Sequence, residues 1–321
     1  MPEPILFGAF VPQGWKMELA EIEGAEAKWA KALEIALEAE ALGYDSIWVY
    51  DHFHNVPVPA HETVLECWTL VSALSQKTTR VRLGQLVGCN SYRHPSLLAK
   101  ITSTIDVISG GRLDFGLGAG WYEHEYQAYG YEFPPANERL QMLNEAVQIV
   151  RAMWSERETT FEGKHYQVSG AHCDPKPLQQ PHPPILIGGG GEKVTLRIVA
   201  KYADRSNFGG SPEQFKAKCE ILKQHCTAVG RDYDEITKTI SGEVCIRDNE
   251  AELRELQARS VWKQPYEAWA GPNLVGTPEQ VAEKVQALID VGCGGFIPWA
   301  TDYPDDTTLR LFAEKVIPNF R

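Results

Sequence analysis

"GGRLDFGLGAGW", residues 110–121, is the stretch on which the reading of this chain turns. Leu113, Phe115 and Leu117 alternate with Asp114, Gly116 and Gly118, the two-residue period of an extended strand. Glycines at 116, 118 and 120 then leave the end of that strand bare of side chains. A dinucleotide fingerprint, GxGxxG, would need glycine at 121, where Trp121 stands, and would belong to an opening strand–helix–strand unit. Another reason for the glycines is needed, and it has to come from the elements on either side.

On the N-terminal side, extended apolar runs recur with helical patterns between them. ILFGAF (5–10) precedes a helix over about 26–42, with Trp29, Leu33, Ala36 and Leu37 on one face. DSIWVYD (45–51) precedes a helix starting near His61. VRLGQLVGC (81–89) precedes a helix opening at Pro95, with Leu98, Ile101, Ile105 and Ile108 on one face. On the C-terminal side, Leu140, Leu143, Val147 and Val150 mark a helix over about 136–154. PILIGGGG (184–191) is a fifth strand and ADRSNFGG (203–210) a sixth. SPEQ (211–214) and TPEQ (277–280) each read as a capped helix start, with proline first and glutamine in the capping-box place. TKTISGEVCI (237–246) and GGFIPWA (294–300) are strands seven and eight, and a last helix covers about 306–315.

Eight strands alternating with helices predict an α/β fold, a (β/α)8 TIM barrel in one domain over 1–321. A doubly wound sheet is the alternative, but it usually stops short of eight strands. Two insertions follow helix four and strand seven: about 155–183, hairpin-like and then proline-rich, and about 247–276, which reads as a lid.

A net charge of −12 and a pI near 5.3 argue against nucleic acid or an anionic membrane as partner. No signal segment or spanning run is visible, and the seven scattered cysteines lack a CxxC, so a cytoplasmic protein with reduced thiols is expected. Cys219 and Cys226, seven apart on a helix, stand about 10 Å from each other, too far for a disulfide.

Barrel active sites lie at the C-terminal strand ends. There stand Asp51 and His52, then Val87, Gly88 and Cys89, then Gly118 to Trp121, then Gly188, Gly189, Gly190 and Gly191. The last group runs into a helix with Lys193 and Arg197 nearby and is the phosphate candidate. A metal reading would use His52, His54, His61 and Glu62, but further ligands are missing apart from Asp302. Ser206 and Ser211 lack a nucleophile elbow, and Cys89 and Cys293 read as small apolar fillers.

At these residues the sequence resembles the luciferase-like flavin and deazaflavin oxidoreductase superfamily. The blocks are YDSIWVYDHF, LGQLVGCNSYRHPSLLAKITSTIDVISGGRLDFGLGAGW, YGYEFPPANERLQMLNEAVQIVRAMW, FEGKHYQV, PPILIGGGGEKVTLRIVAKYADRSNF and VGTPEQVAEKV, in that order. It is most similar to actinobacterial-type members predicted to use coenzyme F420. The resemblance implies hydride transfer between this deazaflavin and a small organic substrate, with FMN, O2 and a separate flavin reductase as the alternative. A non-enzymatic flavin-binding protein is the third reading. A homodimer is also implied. Carried over by position, Asp51 and His52 border the ring, with His52 catalytic, and Trp48 and Trp121 lie near it. Val87, Gly88 and Cys89 lie in a strand-three bulge holding a non-prolyl cis peptide between 86 and 89. The glycines of GLGAGW let the ring or its chain lie against strand four. Ala119 and Gly120 touch the cofactor tail, and Gly188 to Gly191 hold its phosphate. In the family's sugar-phosphate dehydrogenases a glutamate follows the strand-four glycine. Here Trp121 stands there, with Glu123 and Glu125 displaced, which suits a flatter or more apolar substrate.

Overall fold

The strand repeat read from the sequence closes on itself. In a computed structural model describing residues 4–321, eight strands pair in parallel: β1 (Leu6–Phe10), β2 (Ser46–Val49), β3 (Arg82–Gln85), β4 (Leu113–Gly118), β5 (Ile185–Gly188), β6 (Arg205–Asn207), β7 (Thr237–Ile240) and β8 (Gly295–Phe296). Pairing of Leu6 with Gly295 and of Leu83 with Leu113 completes the ring of strands, so the expected TIM barrel is the fold found. The helices between strands are α1 (Ala25–Ala41), α2 (Cys67–Ser75), α3 (Pro95–Ile108), α4 (Ala136–Ser155), α5 (Thr195–Tyr202), α6 (Pro212–Val229) and α7 (Pro278–Ile289).

β4 shows how sequence period becomes layering. Leu113, Phe115 and Leu117 join the apolar layer shared with the helices, while Asp114 is buried and grips Arg82 and Arg205, each at 2.6 Å. Those arginines come from β3, which pairs with β4, and from β6, one strand beyond β5 on the other side, so one carboxylate fastens three strands. Both capping boxes form as read, Ser211 with Gln214 and Thr277 with Gln280, each stabilising its helix by about 1 kcal/mol.

Several boundaries differ from the sequence reading. α2 starts at Cys67 rather than near His61, because residues 61–66 run alongside the loop after β1, where the Leu65 N–H donates to the Gln13 carbonyl at 3.0 Å. The strand expected over 81–89 stops at Gln85; Leu86–Val87 is cis, and only Gly88–Cys89 rejoins β4. The last helix is regular only over Thr307–Leu311 before a wider turn. The strands expected over 237–246 and 294–300 both break. Their second halves, Glu243–Ile246 and Trp299–Ala300, pair with each other, and Glu243–Ile246 pairs on its other side with Leu274–Gly276, in a separate three-stranded sheet. Pro298, which has no N–H to offer a ladder, sits at one of these breaks. The first insertion does contain the hairpin, Thr159–Glu162 against Gln167–Ala171. The second folds as two short helices, Glu250–Gln257 and Tyr266–Ala270, and the segment between them, 258–263, lines the cavities at the barrel mouth. No helix among the described residues is long and apolar enough to cross a membrane.

Candidate active site

At the C-terminal mouth of the barrel lies a cavity of about 240 Å³. Its wall includes Asp51, His52, Val87, Gly88, Cys89, Gly120 and Trp121, so seven of the residues singled out by position come together. Ala119 packs against the core instead, and Gly188 to Gly191 lie outside this wall, on the rim leading to α5. Lys193 and Arg197 point to solvent there. Trp48 is not on this wall: its indole is buried over Gly8 and Gly84, donates to Ser46 Oγ at 2.8 Å and belongs to the apolar cluster of the wall residues Phe10, Trp15 and Tyr50.

Asp51 is spent on the protein. Its carboxylate takes the Cys89 N–H at 2.8 Å and Arg93 at 2.7 and 3.1 Å, which pins the segment after the cis peptide to the end of β2. Burial pushes the Asp51 carboxyl up, and the Arg93 charge and these bonds oppose it. Cys89 is no nucleophile: burial and the Asp51 charge push its thiol up to about 12, and its sulfur sits 3.0 Å from the Tyr126 hydroxyl.

The glycines also have a task within the protein. A Cβ on Gly116 would lie 2.0 Å from the Gln85 carbonyl oxygen, and one on Gly118 would lie 2.6 Å from Val87 Cγ2. Val87 also fills the space over Gly188, where a Cβ would lie 2.9 Å from both its methyls. The bare end of β4 therefore accommodates the displaced end of β3. It is Val87, wedged between two glycine strands, that faces the cavity. Gly120, at φ +79°, makes room for the Tyr126 hydroxyl 1.9 Å from where its Cβ would stand.

His52 is the organising residue. Its ring stacks on Trp15 with centroids 4.1 Å apart and planes within 3°, and meets Trp121 edge-on at 5.8 Å. Its Nδ1 lies 2.8 Å from Glu125 Oε2. Glu125 is fully buried and collects three more donors: the Tyr92 hydroxyl at 2.7 Å, the Phe53 N–H at 2.6 Å and the His54 N–H at 2.9 Å. Burial pushes this carboxyl up, but the bonds and charge from His52, with the His54 and Tyr92 bonds, outweigh it and hold it below the ordinary value. An ionised Glu125 can only accept, so Nδ1 carries the proton and Nε2 is the nitrogen left open to the cavity. His54 pairs with His124 at 2.8 Å instead of sharing a site with His52.

Sequence reasoning missed Trp15, Lys16, Tyr92 and the role of Glu125. Glu125 stands on a short helix, Glu123–Ala128, 73 residues from His52, and nothing in local spacing links them. Trp15 and Lys16 were findable, since GWK stands in the loop after β1, four residues past its end, on the side of the barrel where the other strand ends gather. Lys16 lies on the walls of this cavity and of a second one of about 380 Å³ beneath the second insertion.

The sequence pattern of the luciferase-like monooxygenase family matches residues 7–268. An F420-dependent glucose-6-phosphate dehydrogenase of Kineococcus radiotolerans is 29% identical, over 91% of this chain and 93% of its own. An FMNH(2)-dependent dimethylsulfone monooxygenase of Pseudomonas putida is 26% identical over 71% of each. Among solved structures, an F420-dependent secondary alcohol dehydrogenase bound to an F420-acetone adduct superposes with a TM-score of 0.82 at 22% identity, covering 99% of this chain and 100% of that one.

Proposed function

The chain belongs to the luciferase-like monooxygenase family, and from that membership we propose that it is an oxidoreductase moving hydride between coenzyme F420 and an organic substrate beside His52. The observation that carries this reading is His52 on the cavity wall, backed by the buried Glu125. The F420-dependent relative matched along nearly the whole chain supports the choice of cofactor.

The residues present fit such a group. The wall is largely apolar and aromatic, with Phe10, Trp15, Leu86, Val87 and Trp299, and suits a flat ring system. Trp15 Nε1 and the Tyr50 hydroxyl are buried on that wall without a partner among the described residues, which leaves donors for acceptors on the ring's edge. Ala119 and Gly188 to Gly191 are assigned to the cofactor tail and its phosphate. When bound, the deazaflavin supplies a two-electron hydride acceptor or donor. An alcohol that loses hydride must also lose its hydroxyl proton. His52 Nε2 takes that proton, and returns it in the reverse direction. Glu125 fixes the tautomer and stabilises the imidazolium. Trp15, Trp121 and Tyr122 pack round the His52 ring and hold it in place.

The FMNH(2)-dependent relative favours a second reading, oxygen chemistry on reduced FMN with a separate reductase. Parallel titration of the protein with coenzyme F420 and with FMN, followed by tryptophan quenching, separates the two, since Trp15, Trp121, Trp262 and Trp299 line the cavity. Quenching by F420 alone is expected. FMN alone, with substrate-dependent oxygen uptake, would replace the first reading by the second, and quenching by neither would overturn both.

A further inference from the structure

Lys16 is the one feature of the mouth that the hydride-transfer reading leaves without a task. It follows Trp15 in the loop after β1 and is only 9% exposed. Its Nζ has no hydrogen-bond or ion-pair partner among the described residues. It lies over the Trp299 ring, 2.6 Å from the centroid, with the Tyr50 ring at 4.9 Å and the Trp15 ring at 5.3 Å. A buried amine held only by aromatic faces is a donor waiting for an acceptor.

Its position is specific. Phe10, Lys16, Tyr50 and Trp299 are shared by the 240 Å³ cavity and the 380 Å³ cavity next to it, so together they form the neck between the two. Beyond the neck the larger chamber is walled by Val11, Met17, Val261 and Pro304.

The acids nearby are already engaged. Glu18 accepts the N–H groups of Gln13, Gly14 and Lys16 itself at 2.7–3.0 Å. Glu243 accepts Ser260 Oγ, Trp269 Nε1 and Thr301 Oγ1 at 2.7–2.9 Å. Neither comes within ion-pair distance of Nζ. The remaining charges on the larger chamber, Glu21, Arg259 and Lys263, stand exposed at its rim.

We propose that Lys16 receives the carboxylate of an apolar-bodied organic acid, whose body fills the larger chamber and whose reacting end reaches through the neck toward His52. As a statement about substrate this rests on the hydride-transfer reading; as a statement about binding it does not. An acid of this kind supplies the direct acceptor that Nζ lacks, and the apolar walls take the rest of the molecule. Burial lowers the Lys16 amine well below its ordinary range, with Glu243 and Glu18 opposing, and a bound carboxylate would favour its protonated form.

The test is calorimetric binding of 3-phenylpropionate and benzoate to the full chain, with and without coenzyme F420, against 3-phenylpropionamide, benzamide and sulfate. The acids should bind the wild-type protein at least about tenfold more tightly than the amides, the scale of a charge-assisted bond in a water-poor site. Lys16→Met should remove that preference and Lys16→Arg should keep most of it. Equal binding of acids and amides by the wild-type protein overturns the proposal without any variant, and so does sulfate binding as tightly as 3-phenylpropionate. Acid binding without F420 binding would keep this proposal and sink the cofactor reading; F420 binding with no acid preference would do the reverse.

Discussion

Glu125→Gln tests the organising pair most directly, because the change keeps shape and removes only charge and one acceptor. Phe53 and His54 offer N–H groups to Oε1, so the glutamine oxygen must face them and its NH2 must face His52 and Tyr92. The Tyr92 hydroxyl can turn round and accept. His52 Nδ1 can accept only by giving up its proton, which moves to Nε2. The substitution therefore reverses the nitrogen facing the cavity, from acceptor to donor. Losing charge assistance on these bonds should cost about 2–3 kcal/mol. A chain of 321 residues has an unfolding entropy near 0.7 kcal/mol/K by size scaling, so the midpoint should fall by about 3–5 °C. The pH dependence has a definite sign. Glu125 is held below its unfolded value, so its contribution is complete above about pH 4.5 and fades as pH falls through the folded value. The gap between wild type and variant should thus be flat near neutrality and close in acid. Long-range proton–nitrogen NMR of the imidazoles, with His52→Gln to identify the signal, reads the tautomer, and scanning calorimetry reads the midpoint. An unchanged His52 tautomer together with an unchanged midpoint would refute the assigned geometry. Turnover of an identified substrate should drop by roughly 10²–10⁴ if the base has been lost.

Gly120→Ala places a methyl 1.9 Å from the Tyr126 hydroxyl at a positive φ, so it should destabilise by roughly 2–5 kcal/mol in denaturant melts. Adding Tyr126→Phe should recover part of the loss, and no recovery would show that the hydroxyl is not the obstacle. Arg93→Met leaves the buried Asp51 carboxylate without its cation and should cost about 3–5 kcal/mol; Asp51→Asn in the same chain should reduce that cost, and strictly additive losses would mean the pair is not coupled. All seven cysteines are buried, so fewer than one thiol per chain should react with a disulfide reagent at pH 8 until denaturant is added, and fast labelling of Cys89 would contradict its burial-raised thiol.

The barrel was legible because its evidence is local and repeated. Alternation in β4 and the two capping boxes are each settled within a dozen residues and survive in the fold, whereas on α3 Leu98 and Ile105 are buried but Ile108 at the end of the expected face is exposed. Where the sequence reading failed, the deciding contact was long-range. Strands seven and eight read as continuous because SGEVCI and IPWA are as extended as what precedes them. That they leave the barrel for a sheet with Leu274–Gly276 depends on a partner thirty or so residues away in one case, which no periodicity reports. The site divides the same way. Asp51 and His52 were found because strand ends are where a barrel gathers its chemistry. That Arg93 and Cys89 claim Asp51, and that Glu125 claims one nitrogen of His52, is visible only in the fold. The glycines show the deeper limit. A bare backbone announces that something lies close, but its sequence is the same whether the neighbour is a ligand or another strand. Here Val87 lies against Gly118 and Gly188, so substituting either glycine would push the β3 end toward the cavity and alter the cavity wall from behind. A binding defect from such a substitution would then report displacement of Val87, not loss of a direct glycine contact.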